Sequence, residues 1–249
     1  MTAQVTHIWR HPIKAHGRER LQSVDLVEND TMPWDRAWAV VRDGSGVDGA
    51  AWTACGHFSR AARNPALQAI EARLDDATGD ITVSHPDRPS LTFNPEKNPD
   101  RFISWAAGLG PQDAPGPARL VRSRERGMTD TPFPSLSLLN AASHRAVAQK
   151  LGQDIAPTRW RGNFLIDGLS PWEEFEWIGR RLRIGTAVLT VRERIGRCQA
   201  TSANVTTGQR DTDMLRVLDG GWGHTDFGVY ATVDTGGRVK PGDCVELLS

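Results

Sequence analysis

Tyrosine occurs once in these 249 residues, cysteine three times, and the formal net charge is zero. Each scarcity excludes something. Cys55, Cys198 and Cys244 are far apart and odd in number, and no Cys-x-x-Cys pair occurs, so neither a disulfide framework nor a structural zinc site is expected. Thirty Lys plus Arg against thirty Asp plus Glu leave no global field to draw in DNA, RNA or an acidic membrane, and any anion site has to be a local cluster. No apolar run approaches the ~20 residues of a membrane-spanning helix. The N-terminus goes straight into strand-like alternation without an apolar leader core, so the expected location is the cytoplasm. There is no Walker loop, no Gly-x-Gly-x-x-Gly after a strand and no His-Glu-x-x-His, which removes three common enzyme classes.

What is present is the composition of an ordinary globule, 39% hydrophobic and 24% charged, long enough for one large domain or two of ordinary size. Nine Trp stand against the one Tyr, and composition alone gives no physical account of that. Alternation predicts strands over residues 4 to 9, around Leu21 to Val27, into Val40 and Val41, over residues 67 to 93, and again from residue 182 to residue 191. Asp43-Gly44 and Thr78-Gly79-Asp80 read as hairpin turns. A short helix is expected around Phe102 to Ala107. A second is expected from an N-cap at Ser143 to a stop at Gly152, and a third after Asp211 or Thr212. The Pro/Gly-rich run Gly110 to Pro117 reads as a linker or an exposed loop. Cys244 falls in a last strand, where burial is expected.

The chemistry concentrates after residue 191. Arg197-Cys198 closes a strand and opens the small-polar loop Gln199 to Gly208. A thiolate is the metal-binding form of cysteine, and a neighbouring cation favours it. Thr, Ser, Asn and Gly supply hydroxyls, an amide and close backbone approach to an anion. By residue chemistry two roles stay open for Cys198, a small buried hydrophobe or a ligand. A second basic run, Arg159-Trp160-Arg161-Gly162-Asn163, places Arg159, Arg161 and Asn163 on one face if it is a strand. Guanidiniums there match a phosphate bidentately, and the alternative is a charged sheet face paired with Glu173 or Glu174.

These stretches resemble the MOSC family, named after the C-terminal part of molybdenum cofactor sulfurases, and within it the branch of YcbX-type proteins and the mitochondrial amidoxime-reducing component. The resemblance rests on Arg197-Cys198, Thr201 three residues on, and Thr207-Gly208 nine and ten residues on. It extends to His11-Pro12-Ile13-Lys14-Ala15, Asp35-Arg36-Ala37-Trp38 and the Arg159 to Asn163 run. Departures are Ala15 for a family Ser, Cys55 for a family Arg after Trp52-Thr53-Ala54, Gly162 for Pro, and Asn204 for a frequent Asp. Cys55 is expected to be a packed thiol.

The resemblance implies a mainly β fold with a few short helices, an N-terminal β-barrel-like domain (residues 1–117) packed on a MOSC β-barrel domain (residues 118–249). It implies molybdenum–molybdopterin as cofactor, with Cys198 as catalytic residue and metal ligand and Lys14, Arg36, Arg161, Asn163, Arg197 and Thr201 binding the cofactor. The implied reaction is reduction of a small N-hydroxylated substrate. Three scattered cysteines cannot supply the ~4 ligands of an iron–sulfur cluster, so electrons are expected from a separate ferredoxin- or cytochrome-type partner. The alternative is a non-catalytic cofactor carrier or sulfur-transfer protein.

Overall fold

Strands form nearly wherever apolar and polar residues alternate. The computed structural model describes residues 2–110 and 116–248. In chain order come β1 (Gln4–Arg10), β2 (Ile13–Lys14), β3 (Glu19–Leu21), β4 (Val24–Leu26) and β5 (Trp38–Arg42). They are followed by β6 (Glu71–Leu74), β7 (Ile81–His85), β8 (Arg88–Phe93), helix α1 (Pro99–Ala107) and β9 (Pro117–Arg122). The second half adds β10 (Leu136–Asn140), α2 (Ala141–Leu151), β11 (Phe164–Asp167), β12 (Arg181–Ile184) and β13 (Ala187–Gly196). It ends with α3 (Met214–Trp222), β14 (Asp226–Thr235), β15 (Gly237–Val239) and β16 (Val245–Leu248).

Eight strands make one curled sheet in the order β16-β12-β13-β14-β10-β11-β1-β3. β2-β5-β9 and β6-β7-β8 form three-stranded sheets, and β4 pairs with β15. The strands therefore cross between the two halves of the chain in both directions. β1, β3 and β4 join strands of the second half, while β9 starts at Pro117 and pairs with β5, so a division at 117/118 falls inside a strand. The Gly110 to Pro117 run, expected to be a linker or an exposed loop, has its middle, residues 111–115, outside the described residues.

One core lies inside the curled sheet around Ile8, Leu138, Leu189 and Val229. A second, around Trp38, Ile81, Phe93 and Phe102, belongs to the first half, and a third packs α2 and α3 on Trp160 and Phe227. Burying each such large side chain contributes about 1.5–3 kcal/mol. No helix among the described residues is long and apolar enough to cross a membrane.

Several local expectations are corrected. Residues 182–191 form a hairpin, β12 and β13, rather than one strand. Asp43-Gly44 turns the chain but joins no hairpin, because β5 pairs with β9 and β2. Residues 65–69 form a 3-10 turn before β6. The α2 cap is Asn140, whose side chain accepts from Ala142 N and Ser143 N, since the helix starts directly off β10; the Ser143 hydroxyl instead donates to Glu174. The α3 cap is Asp213, because Arg159 and Asn204 already occupy the Asp211 carboxylate. Cys244 is exposed, just ahead of β16.

Candidate functional site

Three backbone turns carry the basic side chains inward. Ala15, Arg36 and Arg161 all adopt the left-handed region, with φ of 63°, 54° and 53°. For residues with a side chain this conformation is strained, and such strain gathers where a site over-determines the backbone. Lys14 ends β2 and is buried; its ammonium donates to Met128 O at 2.7 Å and to Asp130 Oδ1 at 2.5 Å. Arg36 N donates to His11 O at 2.6 Å, its guanidinium pairs with Asp35, and its Nη2 reaches Arg161 O at 3.0 Å. The Arg161 turn is not the strand the sequence suggested. Pro157–Trp160 forms a 3-10 turn with Arg161 as its left-handed cap. Gly162, where the family has Pro, is needed for space, since a Cβ there would lie 2.5 Å from Leu139 side-chain atoms.

The fourth arm is β13. Its pairing with β14 shifts register between Val191 and Glu193 and again between Arg194 and Gly196. Bulges bend and twist a strand, and here they lie just before Cys198. That residue leads into the 3-10 turn Gln199–Ser202, and its thiol is exposed. The Thr201 hydroxyl donates to Cys198 O at 2.9 Å and fixes the turn. Gly208 has φ of 68°, and a Cβ there would stand 2.7 Å from Ala66 Cα, so only glycine fits this point of the motif. Asn204 accepts from Thr206 N and Thr207 N and donates to Asp211, which gives it a loop-shaping role.

A cavity of about 260 Å³ lies where these arms meet. Lys14, Arg36, Arg161, Arg197, Cys198 and Thr201 all line it. Asn163 does not, which corrects the expectation for that residue. It is buried beneath the turn, accepting from Ser137 N at 3.0 Å and donating to Trp9 O at 3.3 Å, so it ties β10 to β1. Cys55 is not packed away as expected but half-buried on the cavity wall, with Arg60 Nη1 at 3.5 Å from its sulfur. Arg60, Asp130, Arg159, Ser137 and Tyr230 complete the lining that matters. Sequence reasoning missed Tyr230 and Asp130, although the solitary tyrosine in a Tyr-poor chain was a signal.

The charge in this cavity is unbalanced. Asp35 compensates Arg36, Asp130 compensates Lys14 and Asp211 compensates Arg159, at 2.5 Å for the lysine and 2.7 Å for Arg159. Arg197 is held by Phe227 O and Trp160 O, and Arg161 only by long contacts to Gly17 O at 3.3 Å and Gln68 Oε1 at 3.5 Å. Neither they nor Arg60 form an ion pair among the described residues. Burial, reinforced by Arg36 and Arg18, pushes the Arg161 guanidinium down to about 9, and burial pushes Arg197 down to about 10. A guanidinium stays charged in a protein, so the depression reflects what burial costs the charge, with repulsion from Arg36 and Arg18 added at Arg161. Burial and Asp130 push the Tyr230 phenol up to about 12. The Asp130 carboxyl is held below its usual range because Lys14 and Arg36 outweigh burial. Arg159 is buried on the wall and its Nε has no partner among the described residues.

The family profile described as the MOSC domain matches residues 129–246, and that of the MOSC N-terminal beta barrel domain matches residues 2–107, together about nine tenths of the chain. The chain belongs to the MOSC family. The chain is 29% identical over 127 residues to a molybdenum cofactor sulfurase of Anopheles gambiae and 32% identical over 117 residues to that of Drosophila grimshawi. These matches cover 46% and 45% of this chain but 16% and 15% of the relatives, so the chain spans about a sixth of the length of the curated relatives it matches. Among solved structures, the YUAD protein from Bacillus subtilis aligns over 99% of this chain and 96% of its own, at 14% identity and a TM-score of 0.46. YiiM from Geobacillus stearothermophilus aligns over 46% of this chain and 54% of its own, at 18% identity and a TM-score of 0.36. In MOSC terms, the cavity lies where the two matched regions meet: Lys14 and Arg36 come from one, Arg161, Arg197 and Cys198 from the other.

Proposed function

We propose that this MOSC protein holds a molybdenum–molybdopterin cofactor in the cavity and reduces N-hydroxylated compounds in the cytoplasm, drawing electrons from a separate donor protein. One observation carries the reading: an exposed cysteine opens onto the same cavity as an uncompensated cluster of guanidiniums. The donor set fits the group. Among the described residues no three His, Cys, Asp or Glu side chains cluster as a metal cage. A metal held here would then take one soft protein sulfur, Cys198, with the remaining donors supplied by its own organic ligand, as a pterin dithiolene does. The unpartnered Nε of buried Arg159 and the bare charge of Arg161 and Arg197 match a phosphate acceptor.

In this reading Arg161, Arg197, Arg36 and Lys14 bind the phosphate, and the Thr201 turn sets the direction of the Cys198 sulfur. The bound cofactor would supply the two-electron chemistry. Tyr230, kept neutral, would offer a hydrogen bond from the cavity wall, and Asp130, kept ionised by Lys14, would accept one.

The second reading is a cofactor carrier or sulfur-transfer protein, favoured by the name of the sulfurase relatives and by Cys55 facing the same cavity. Metal analysis and turnover separate them. Cys198→Ala is expected to abolish molybdenum retention, while Cys55→Ala and Cys244→Ala keep it. Equal metal in all three variants would refute the ligand assignment. Turnover of a hydroxylamine-type substrate with an artificial reductant is expected of the enzyme and not of the carrier.

A further inference from the structure

Cys55 and Arg60 stand five residues apart and share the wall of the Cys198 cavity. The chain between them is tied down. Cys55 opens a 3-10 turn, Phe58 bridges to Val41, and Ser59 N donates to Val40 O at 2.8 Å, so β5 holds the segment from behind. Asn64 N then donates to Arg60 O at 3.1 Å, and Arg210 Nη2 to Ala62 O at 2.7 Å, which closes the next turn against the Cys198 loop. Arg60 is half-buried, and its Nη1 donates to the Cys55 sulfur at 3.5 Å. Because Cys55 lines this cavity, the contact sets that edge of the guanidinium at the cavity wall. A thiol is a weak acceptor without charge, so it can orient a guanidinium and leave its charge intact. Cys55 also stands where the MOSC pattern has an arginine, so position 55 itself brings no cation to the wall.

We propose that Arg60 is an anion-binding residue of the Cys198 cavity, returning from five residues along the chain the guanidinium that position 55 lacks, with Cys55 as the residue that aims it. This rests on the reading above for the identity of the anion, the phosphate of the cofactor. A planar fork offers a phosphate two parallel N–H bonds. Ala61, Ala62 and Ala200 on the same wall are apolar, and the lower local dielectric beside them strengthens the attraction. Arginine at position 55 and arginine at position 60 are then two ways of placing one charge.

The test is calorimetric titration of the cofactor-free full chain with inorganic phosphate at low salt. Arg60→Ala is expected to weaken binding tenfold or more. The double variant Cys55→Arg/Arg60→Ala is expected to recover most of that loss, which a merely structural role for Arg60 would not allow. Should Arg60→Ala fail to fold, Arg60→Gln, which keeps the length and removes the charge, takes its place in both variants. Alkylation of the cofactor-free parent protein by iodoacetamide, read by mass spectrometry, locates the anion. Saturating phosphate is expected to slow labelling of Cys55 threefold or more and to leave that of exposed Cys244 unchanged. Phosphate binding that needs Arg161 but ignores Arg60 overturns the proposal and leaves the cofactor reading standing. Failure of the double variant to recover affinity, or labelling of Cys55 indifferent to phosphate, overturns it as well. Binding that needs Arg60 but ignores Arg161 would instead sink the cofactor reading while the role of Arg60 stands.

Discussion

Gln68 shows how a neutral side chain can govern a charged site. It is fully buried, and its amide nitrogen donates to Ala200 O at 2.9 Å and Arg159 O at 3.2 Å, beside the Cys198 turn and the Arg161 turn. Its oxygen faces the Arg161 guanidinium, which it orients without cancelling the charge. A carboxylate in its place would cancel that charge and confront two carbonyls. Gln68→Glu is therefore expected to weaken phosphate binding tenfold or more, about 1.4 kcal/mol, with Gln68→Ala weakening it less. Equal losses in the two variants, read by titration, would mean that shape and not neutrality matters. At this scale the sequence was partly legible. Lys14, Arg36, Arg161, Arg197, Cys198 and Thr201 could be picked out by spacing and resemblance, and all line the cavity. Gln68 and Asp130 could not, because their roles come from neighbours more than 50 residues away along the chain, and Tyr230 carried only its rarity as a signal.

Among the elements, the Cys198 loop depends on the first half of the chain as much as on its own strand. Gly208 lies against Ala66, Arg18 Nη2 reaches Val205 O at 3.3 Å, and Arg210 Nη2 reaches Ala62 O at 2.7 Å. Gly208→Ala is expected to cost about 1–3 kcal/mol from left-handed strain, plus the clash with Ala66 backbone. Gly152→Ala at the end of α2 carries similar strain, φ of 67°, but its Cβ would meet nothing within 4 Å. Urea denaturation should rank Gly208→Ala well below Gly152→Ala, and the reverse order would contradict the packing described. Periodicity announced most strands, and the helix expected near Phe102 is α1. The Arg159 to Asn163 run misled, because a 3-10 turn and a left-handed arginine leave no signature in apolar alternation.

For the whole molecule, buried histidines set the acid limit. Burial, with Arg161 and Arg36, pushes His11 down to about 3, and burial pushes His16 down to about 4, from 6.5. The unfolded chain binds these protons first as pH falls, so the folded state loses stability below about pH 6.5, at up to about 1.4 kcal/mol per pH unit for each histidine. The loss ends near pH 4 for His16 and near pH 3 for His11. Thermal melts from pH 7.5 to 4.5 should show a falling Tm, and a flat profile would argue against neutral buried rings. Fold class was legible at this scale, since a mainly β architecture follows from alternation. The lacing of the halves was not, because pairing partners such as β4 with β15 lie some 200 residues apart along the chain.

That lacing limits how such a protein can change. With Ala66 backbone set against Gly208, a side chain at position 208 would press on the first half of the chain and displace the loop that follows the Cys198 turn. A chimera joined between unrelated parents would therefore have to match its two pieces at this contact, since glycine at position 208 leaves no slack between them.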